Sequence, residues 1–89
     1  MLIPQLSSRF KRDRRRVERR GKDITKLRAL MELLLKEQPL PAHYRDHALH
    51  GAWYGFREAH IEPDWLLVYR QWRDELQFAC TGTHSDIFE

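Results

Sequence analysis

Apolar residues recur along this chain with two different periods. Between Ile24 and about Lys36, the residues Leu27, Leu30, Met31 and Leu34 follow intervals of three and four, which places them on one face of an α-helix. Asp23 stands where a helix N-cap belongs. The helix ends at Gln38-Pro39-Leu40-Pro41, because a residue before proline avoids helical angles. Past residue 50 the period shortens to two. Ala52 to Ile61 alternates roughly and is rich in aromatics. Trp65 to Gln71 is a nearly continuous apolar run, the mark of a central strand, and Glu75 to Thr81 sets Leu76, Phe78 and Cys80 on one face. Glu62-Pro63-Asp64 and Trp72-Arg73-Asp74 supply the turns, Gly82 ends the last strand, and Ser85 to Glu89 forms a short tail.

Upstream, Leu2 to Leu6 predicts a short strand. Pro4 has no amide to donate, so it requires an edge or an unpaired side. Ser7 or Ser8 can cap a helix that runs to about Arg20, with Phe10 and Val17 as its main apolar anchors and Gly21 at its C-terminus. Residues 37–50 read as loop or extended chain. The predicted order is strand, helix, helix, then a three-stranded antiparallel meander: an α+β fold, β-α-α-β-β-β, with both helices on one face of an antiparallel sheet.

Composition narrows the class. Eighty-nine residues fit one domain, 1–89. At 42% hydrophobic and 11% aromatic the chain is too apolar for disorder. No apolar run approaches the roughly 20 residues that cross a bilayer. Met1-Leu2-Ile3 runs straight into Pro4 and Gln5, which speaks against a signal peptide. The one cysteine, Cys80, excludes an internal disulfide and suits a reducing, cytoplasmic setting.

Charge changes the picture more. Residues 1–28 hold eleven Lys or Arg against three acids, whereas residues 29–89 hold five against ten. The positive half peaks in Phe10–Arg20, with Arg12, Arg14, Arg15, Arg16, Arg19 and Arg20. Guanidinium forks suit phosphate, so this segment is a candidate face for nucleic acid. A solvated helix face, or one that meets an acidic protein, fits the same pattern. The segment is too poor in apolar residues to lie on a membrane.

The candidate chemistry lies downstream, where His43, His47, His50, His60 and His84 all fall. If the meander forms, the start of its first strand, the next turn and the tail can bring His47, His60, Asp64 and His84 into one cleft. Zinc is the first alternative, since His43, His47 and His50 show H-x3-H-x2-H spacing. Structural zinc takes four ligands, the chain has one thiol, and Pro41 argues against a helix that would align the three rings. Cys80 is a poor nucleophile candidate, because its strand parity with Leu76 and Phe78 makes it a buried thiol. General acid–base cleavage of RNA needs no metal. The 2′-OH is the nucleophile, imidazole serves as acid or base, arginine offsets the developing charge, and aromatics such as Trp65 and Phe88 can stack a splayed base.

The segment LPAHYRDHALHGAWYGFREAHIEPDWLLVYR, followed by TGTHSDIF, resembles the YafQ branch of the RelE/ParE toxin superfamily; KDITKLRALMELL resembles that family's second helix. The likeness runs from about Lys22 to Phe88. It implies a RelE-like microbial RNase fold and the toxin of a type II toxin–antitoxin system, an endoribonuclease that cuts mRNA in the ribosomal A site. It implies a RelB/DinJ-like antitoxin, acidic and of the ribbon-helix-helix class, through which alone operator DNA is reached. Ribosomal RNA is a further implied partner, and no cofactor, metal or membrane is implied. By motif, the family's catalytic positions fall on His47, His60, Asp64 and His84; the division into acid and base stays open, with His84 expected to protonate the leaving oxygen and His47, His60 or Asp64 to serve the 2′-OH. Substrate contacts fall on Arg57, Trp65, position 80 and Phe88. His43 and His50 match no functional position. The family usually carries arginine where this chain has Cys80, so reduced activity is expected unless Arg57 or Arg45 compensates. An inactive module of the same fold, acting with an antitoxin as corepressor, is the alternative.

Overall fold

The computed structural model describes residues 1–88. Strand β1 (Ile3–Leu6) leads into helices α1 (Ser8–Arg19) and α2 (Ile24–Leu35). A two-residue strand β2 (His47–Ala48) follows, then β3 (Arg57–Glu62), β4 (Trp65–Trp72), β5 (Glu75–Gly82) and a short helix α3 (His84–Phe88). The sheet order is β1-β5-β4-β3-β2, so the most apolar strand is central, as its sequence predicts.

Local chemistry sets the helix ends. Ser7 caps α1, its Oγ accepting the Phe10 amide at 2.9 Å while its hydroxyl donates to the Ala79 carbonyl at 2.6 Å. Gly21, at φ +90°, closes α1: its amide reaches the Glu18 carbonyl and that of Lys22 reaches Val17, a Schellman ending. Asp23 caps α2 by accepting from the Thr25 amide at 3.0 Å. Helix α1 buries Phe10, Asp13 and Val17, and α2 buries Ile24, Leu27 and Leu30. The apolar ones pack with Ala59, Trp65, Leu67, Tyr69, Leu76 and Phe78 in the main core. A second, smaller cluster of Leu66, Val68, Cys80 and Ile87 lies on the other face of the sheet, partly covered by Leu49, Trp53 and Phe56.

Four features differ from the sequence expectation. First, β1 joins β5 in parallel, so the sheet is mixed rather than antiparallel. The Ile3 and Ser7 amides donate to the Asp74 and Phe78 carbonyls at 2.8 and 3.2 Å, and Pro4 falls at the alternate position that owes β5 no amide. Second, the expected strand from Ala52 begins only at Arg57, because Gly51–Trp53 forms a 3₁₀ turn and Gly55 takes φ +94°. Third, the tail is helical over its described residues, as far as Phe88; Glu89 lies outside them. Fourth, Cys80 does not share a face with Leu76 and Phe78. Tyr69 pairs with Phe78 and Val68 with Cys80, so Ala79 is an extra residue, and the bulge reverses the parity beyond it.

Candidate active site

The helix-free face of the sheet gathers the chemistry. On β3, residues 58 and 60 point to one face and 57 and 59 to the other. Glu58 pairs with Val68 and with His47 across the ladders, and His60 pairs with Leu66. His47, Glu58 and His60 therefore stand together above the second cluster. His84, at the first turn of α3, completes the row. Ring centroids are 5.9 Å apart between His47 and His60, and again 5.9 Å between His60 and His84. The His84–Phe88 centroids are 6.4 Å apart. Thus the structure brings His47, His60, Asp64, His84 and Phe88 into one cleft.

Two carboxylates alternate with these rings. Asp64 Oδ1 accepts from both the amide and Nδ1 of His84, at 2.9 and 2.6 Å. Those two bonds hold the Asp64 carboxyl below its ordinary range. Glu58 Oε1 lies 3.2 Å from Nε2 of His60 and 3.9 Å from Nε2 of His47. Glu58 and His60 are buried, whereas the His47 and His84 side chains are 52% and 53% exposed, so a substrate meets the outer two rings first. His47 Nδ1 contacts the Arg45 carbonyl at 2.8 Å. A carbonyl only accepts, so Nδ1 carries the proton and a neutral ring presents its lone pair at Nε2. Nδ1 of His60 is buried and has no hydrogen-bond partner among the described residues.

Glu58 escaped the sequence reading. Its signal was present: in R-E-A-H the glutamate lies two residues before His60 on a strand, hence on the same face. The three ligand atoms of His47, Glu58 and His60 lie within 4.8 Å of one another, a set able to hold a metal ion. This is not the His43/His47/His50 set weighed from spacing. His43 is exposed and stacks on Tyr44 with centroids 4.2 Å apart, and His50 is exposed.

Several predicted contact residues are placed elsewhere. Trp65 is 1% exposed in the main core and donates from Nε1 to Thr81 Oγ1 at 3.0 Å, so it cannot stack a base as it stands. Trp53, 6.4 Å from Phe88 between centroids, is the aromatic that borders the cleft. Arg57 points to the opposite face, pairing with Asp46 at 2.8 Å beside Tyr69, whose hydroxyl also donates to Asp46. Arg45 lines the same pocket as that pair. Cys80 has no exposed surface, and burial pushes its thiol up to about 11. It sits in the Glu58–Val68–Cys80 row, about 10 Å from Glu58 by strand spacing.

The arginine helix is also divided. Arg16 turns inward to Asp13 at 3.1 Å, and Arg20 binds Asp86 at 2.6 Å. Asp13, fully buried, accepts the Thr81 amide at 3.2 Å and ties α1 to β5. Arg12, Arg15 and Arg19 are exposed and Arg14 is half-buried. Among the described residues no helix is long and apolar enough to cross a membrane.

Comparison with known proteins matches residues 3–89 to the model of the bacterial toxin of type II toxin–antitoxin systems, YafQ. The mRNA interferase toxin YafQ of Escherichia coli K12 is 45% identical over 85 residues, covering 94% of this chain and 92% of that protein. The crystal structure of the E. coli DinJ–YafQ complex superposes with a TM-score of 0.93 at 42% identity, covering all of both chains. A metal-bound toxin from Helicobacter pylori superposes with a TM-score of 0.93 at 37% identity, over 99% of this chain and 100% of that one.

Proposed function

Because the chain belongs to the YafQ family of bacterial type II toxins, we propose that it is an mRNA interferase, a cytoplasmic, ribosome-dependent endoribonuclease silenced by a DinJ-like antitoxin. Its substrate is mRNA in the ribosomal A site, ribosomal RNA is a contact of the basic helix, and operator DNA is met only through the antitoxin. The toxin domain spans the chain. The observation that carries this reading is the row of imidazoles, His47, His60 and His84, interleaved with Glu58 and Asp64.

The geometry supports one assignment of the protons. His47 is the base: its Nδ1–H is engaged by the Arg45 carbonyl, so Nε2 takes the 2′-OH proton, and Glu58 lies beside the imidazolium that forms. The 2′-oxygen attacks phosphorus and the bond to the 5′-oxygen breaks. His84 is the acid: Asp64 holds its Nδ1–H, and the proton on Nε2 goes to the leaving oxygen. Asp64 thus orients rather than abstracts. Phe88, 41% exposed, stacks the base beside the cut. His60, buried against Glu58, fixes that carboxylate between the rings.

The products should carry a 2′,3′-cyclic phosphate and a 5′-hydroxyl. A substrate with 2′-deoxyribose at the cut should resist cleavage, and His47→Ala or His84→Ala should lose at least about 10²-fold in rate. Products ending in 3′-hydroxyl and 5′-phosphate would overturn the mechanism. A metal held by His47, Glu58 and His60 would supply a Lewis-acidic centre, but it would also occupy the Nε2 lone pair that the base needs. Full rate in chelator and inhibition by added Zn²⁺ are therefore expected.

One observation favours a second reading. The neutral, buried thiol of Cys80 contributes no charge to the cleft. A catalytically silent toxin fold acting only as corepressor with its antitoxin would show no cleavage with any ribosome-bound mRNA.

A further inference from the structure

Two arginines of α1, Arg9 and Arg16, and its C-cap Arg20 turn toward α3. Arg20 grips both oxygens of the Asp86 carboxylate, Nη1 to Oδ2 at 2.6 Å and Nη2 to Oδ1 at 3.3 Å. Arg16 Nη2 stands 3.8 Å from the same Oδ2, and Arg9 Nη2 donates to the Asp86 carbonyl at 3.1 Å. Within α3, Asp86 Oδ2 accepts the Thr83 amide at 2.9 Å while the Asp86 amide donates to Thr83 Oγ1 at 3.1 Å, a reciprocal cap. Gly82 makes the room. A Cβ there would lie 2.7 Å from Asp86 Oδ2, and its φ of +153° is one that other residues rarely adopt. The Asp86 side chain is 14% exposed at the meeting point of all these groups.

This arrangement exceeds what a five-residue helix needs to exist on a surface, and such a helix has no orientation of its own. Isolated helices shorter than about 12 residues are marginal. Yet α3 carries His84 at its first turn and Phe88 at its last. Helix α1 is itself tied to the sheet, through the buried Asp13 bond to the Thr81 amide and through Phe10 against Phe78. A rigid path therefore runs from the sheet through α1 to Asp86 and so to the His84 ring.

We infer that Asp86, gripped by Arg20 across 66 residues of sequence, is a positioning residue: it sets where the His84 proton and the Phe88 ring stand relative to His47, Glu58 and His60. The inference rests on the reading of His84 as the acid. Small displacements of an acid from the leaving oxygen are costly, since about 1 Å of misplacement can cost about 10²-fold in rate.

The test compares the parent chain with Arg20→Ala, Arg20→Lys, Asp86→Asn, the Arg20→Ala/Asp86→Asn double variant and His84→Ala. Cleavage of an mRNA on programmed ribosomes supplies kcat and KM, imidazole NMR resonances report each ring, and thermal melts report folding. Arg20→Ala and Asp86→Asn should each lower kcat by about 10- to 10²-fold with KM within about twofold. The double variant should be no worse than the poorer single. The His84 resonance should move while those of His47 and His60 hold, and Arg20→Lys should recover most of kcat. Arg20→Ala should melt below the parent at neutral pH, because the paired Asp86 carboxylate loses its partner, yet Arg20 is 44% exposed, so the variant should stay folded at the assay temperature even if Asp86→Asn does not fold. An unchanged kcat, a loss confined to KM, or an unmoved His84 resonance would overturn the inference. Parental cleavage by His84→Ala would remove the acid itself, and this inference with it. A dead His84→Ala beside a fully active Arg20→Ala would overturn the positioning role alone.

Discussion

On the proposed mechanism, the side chain at position 80 bears on how much charge the cleft can offset. Cys80 is fully buried among Leu66, Val68 and Ile87, and its thiol stays neutral. A guanidinium there would have to thread outward from an apolar cluster, in the row that ends at Glu58. Cys80→Arg should therefore raise the ribosome-dependent cleavage rate by about 10²-fold while lowering stability by about 1–3 kcal/mol; equal rates would show that the cleft needs no such cation. In the parent, thiol alkylation near pH 8 should be slow and should track unfolding, because burial holds the thiol up at about 11. Glu58 was readable from R-E-A-H by strand alternation, whereas the core role of Trp65 was not. Its ring is buried in the main core and its indole N–H is taken by Thr81, surroundings that only the folded chain assembles.

The amphipathic helix and the short C-terminal helix bear different loads. Leu30 has no exposed surface, so Leu30→Ala should cost about 2–5 kcal/mol, read from urea midpoints. Leu34 is only partly buried, so its truncation should cost less, although both lie on the face that the three-and-four spacing marks. For α3, the Arg20 hydrogen bonds hold the Asp86 carboxyl well below its ordinary value of 3.8, with Thr83 and Arg16 adding to the effect. A depressed carboxyl stabilises the fold above its unfolded value and loses that contribution as pH falls through the folded one. Parental stability should therefore drop as pH falls below about 4, and Arg20→Ala should flatten that drop in acid melts. The long helix and central strand were legible because each repeats its period many times. Strand β2 has two residues and α3 five, too few for any period to show.

Across the whole molecule, the sheet separates two jobs. Its helix face makes the core, and its other face holds the cleft. Arg12 and Arg15 of α1 are exposed; if they meet RNA as proposed, Arg12→Ala or Arg15→Ala should weaken binding to RNA uniformly across sequences and lower the salt slope by about 1 each. The charge asymmetry, the two helices, the order of the meander and the list of histidines followed from the sequence alone, because each depends on neighbours within a few residues or on composition. The parallel docking of β1, the Ala79 bulge that turns Cys80 to the other face of the sheet, the pairing of Arg57 with Asp46, the burial of Trp65 and the grip of Arg20 on Asp86 were decided by tertiary structure. These depend on groups 11 to 72 residues apart competing for the same hydrogen bonds, and a local pattern does not record which competitor wins.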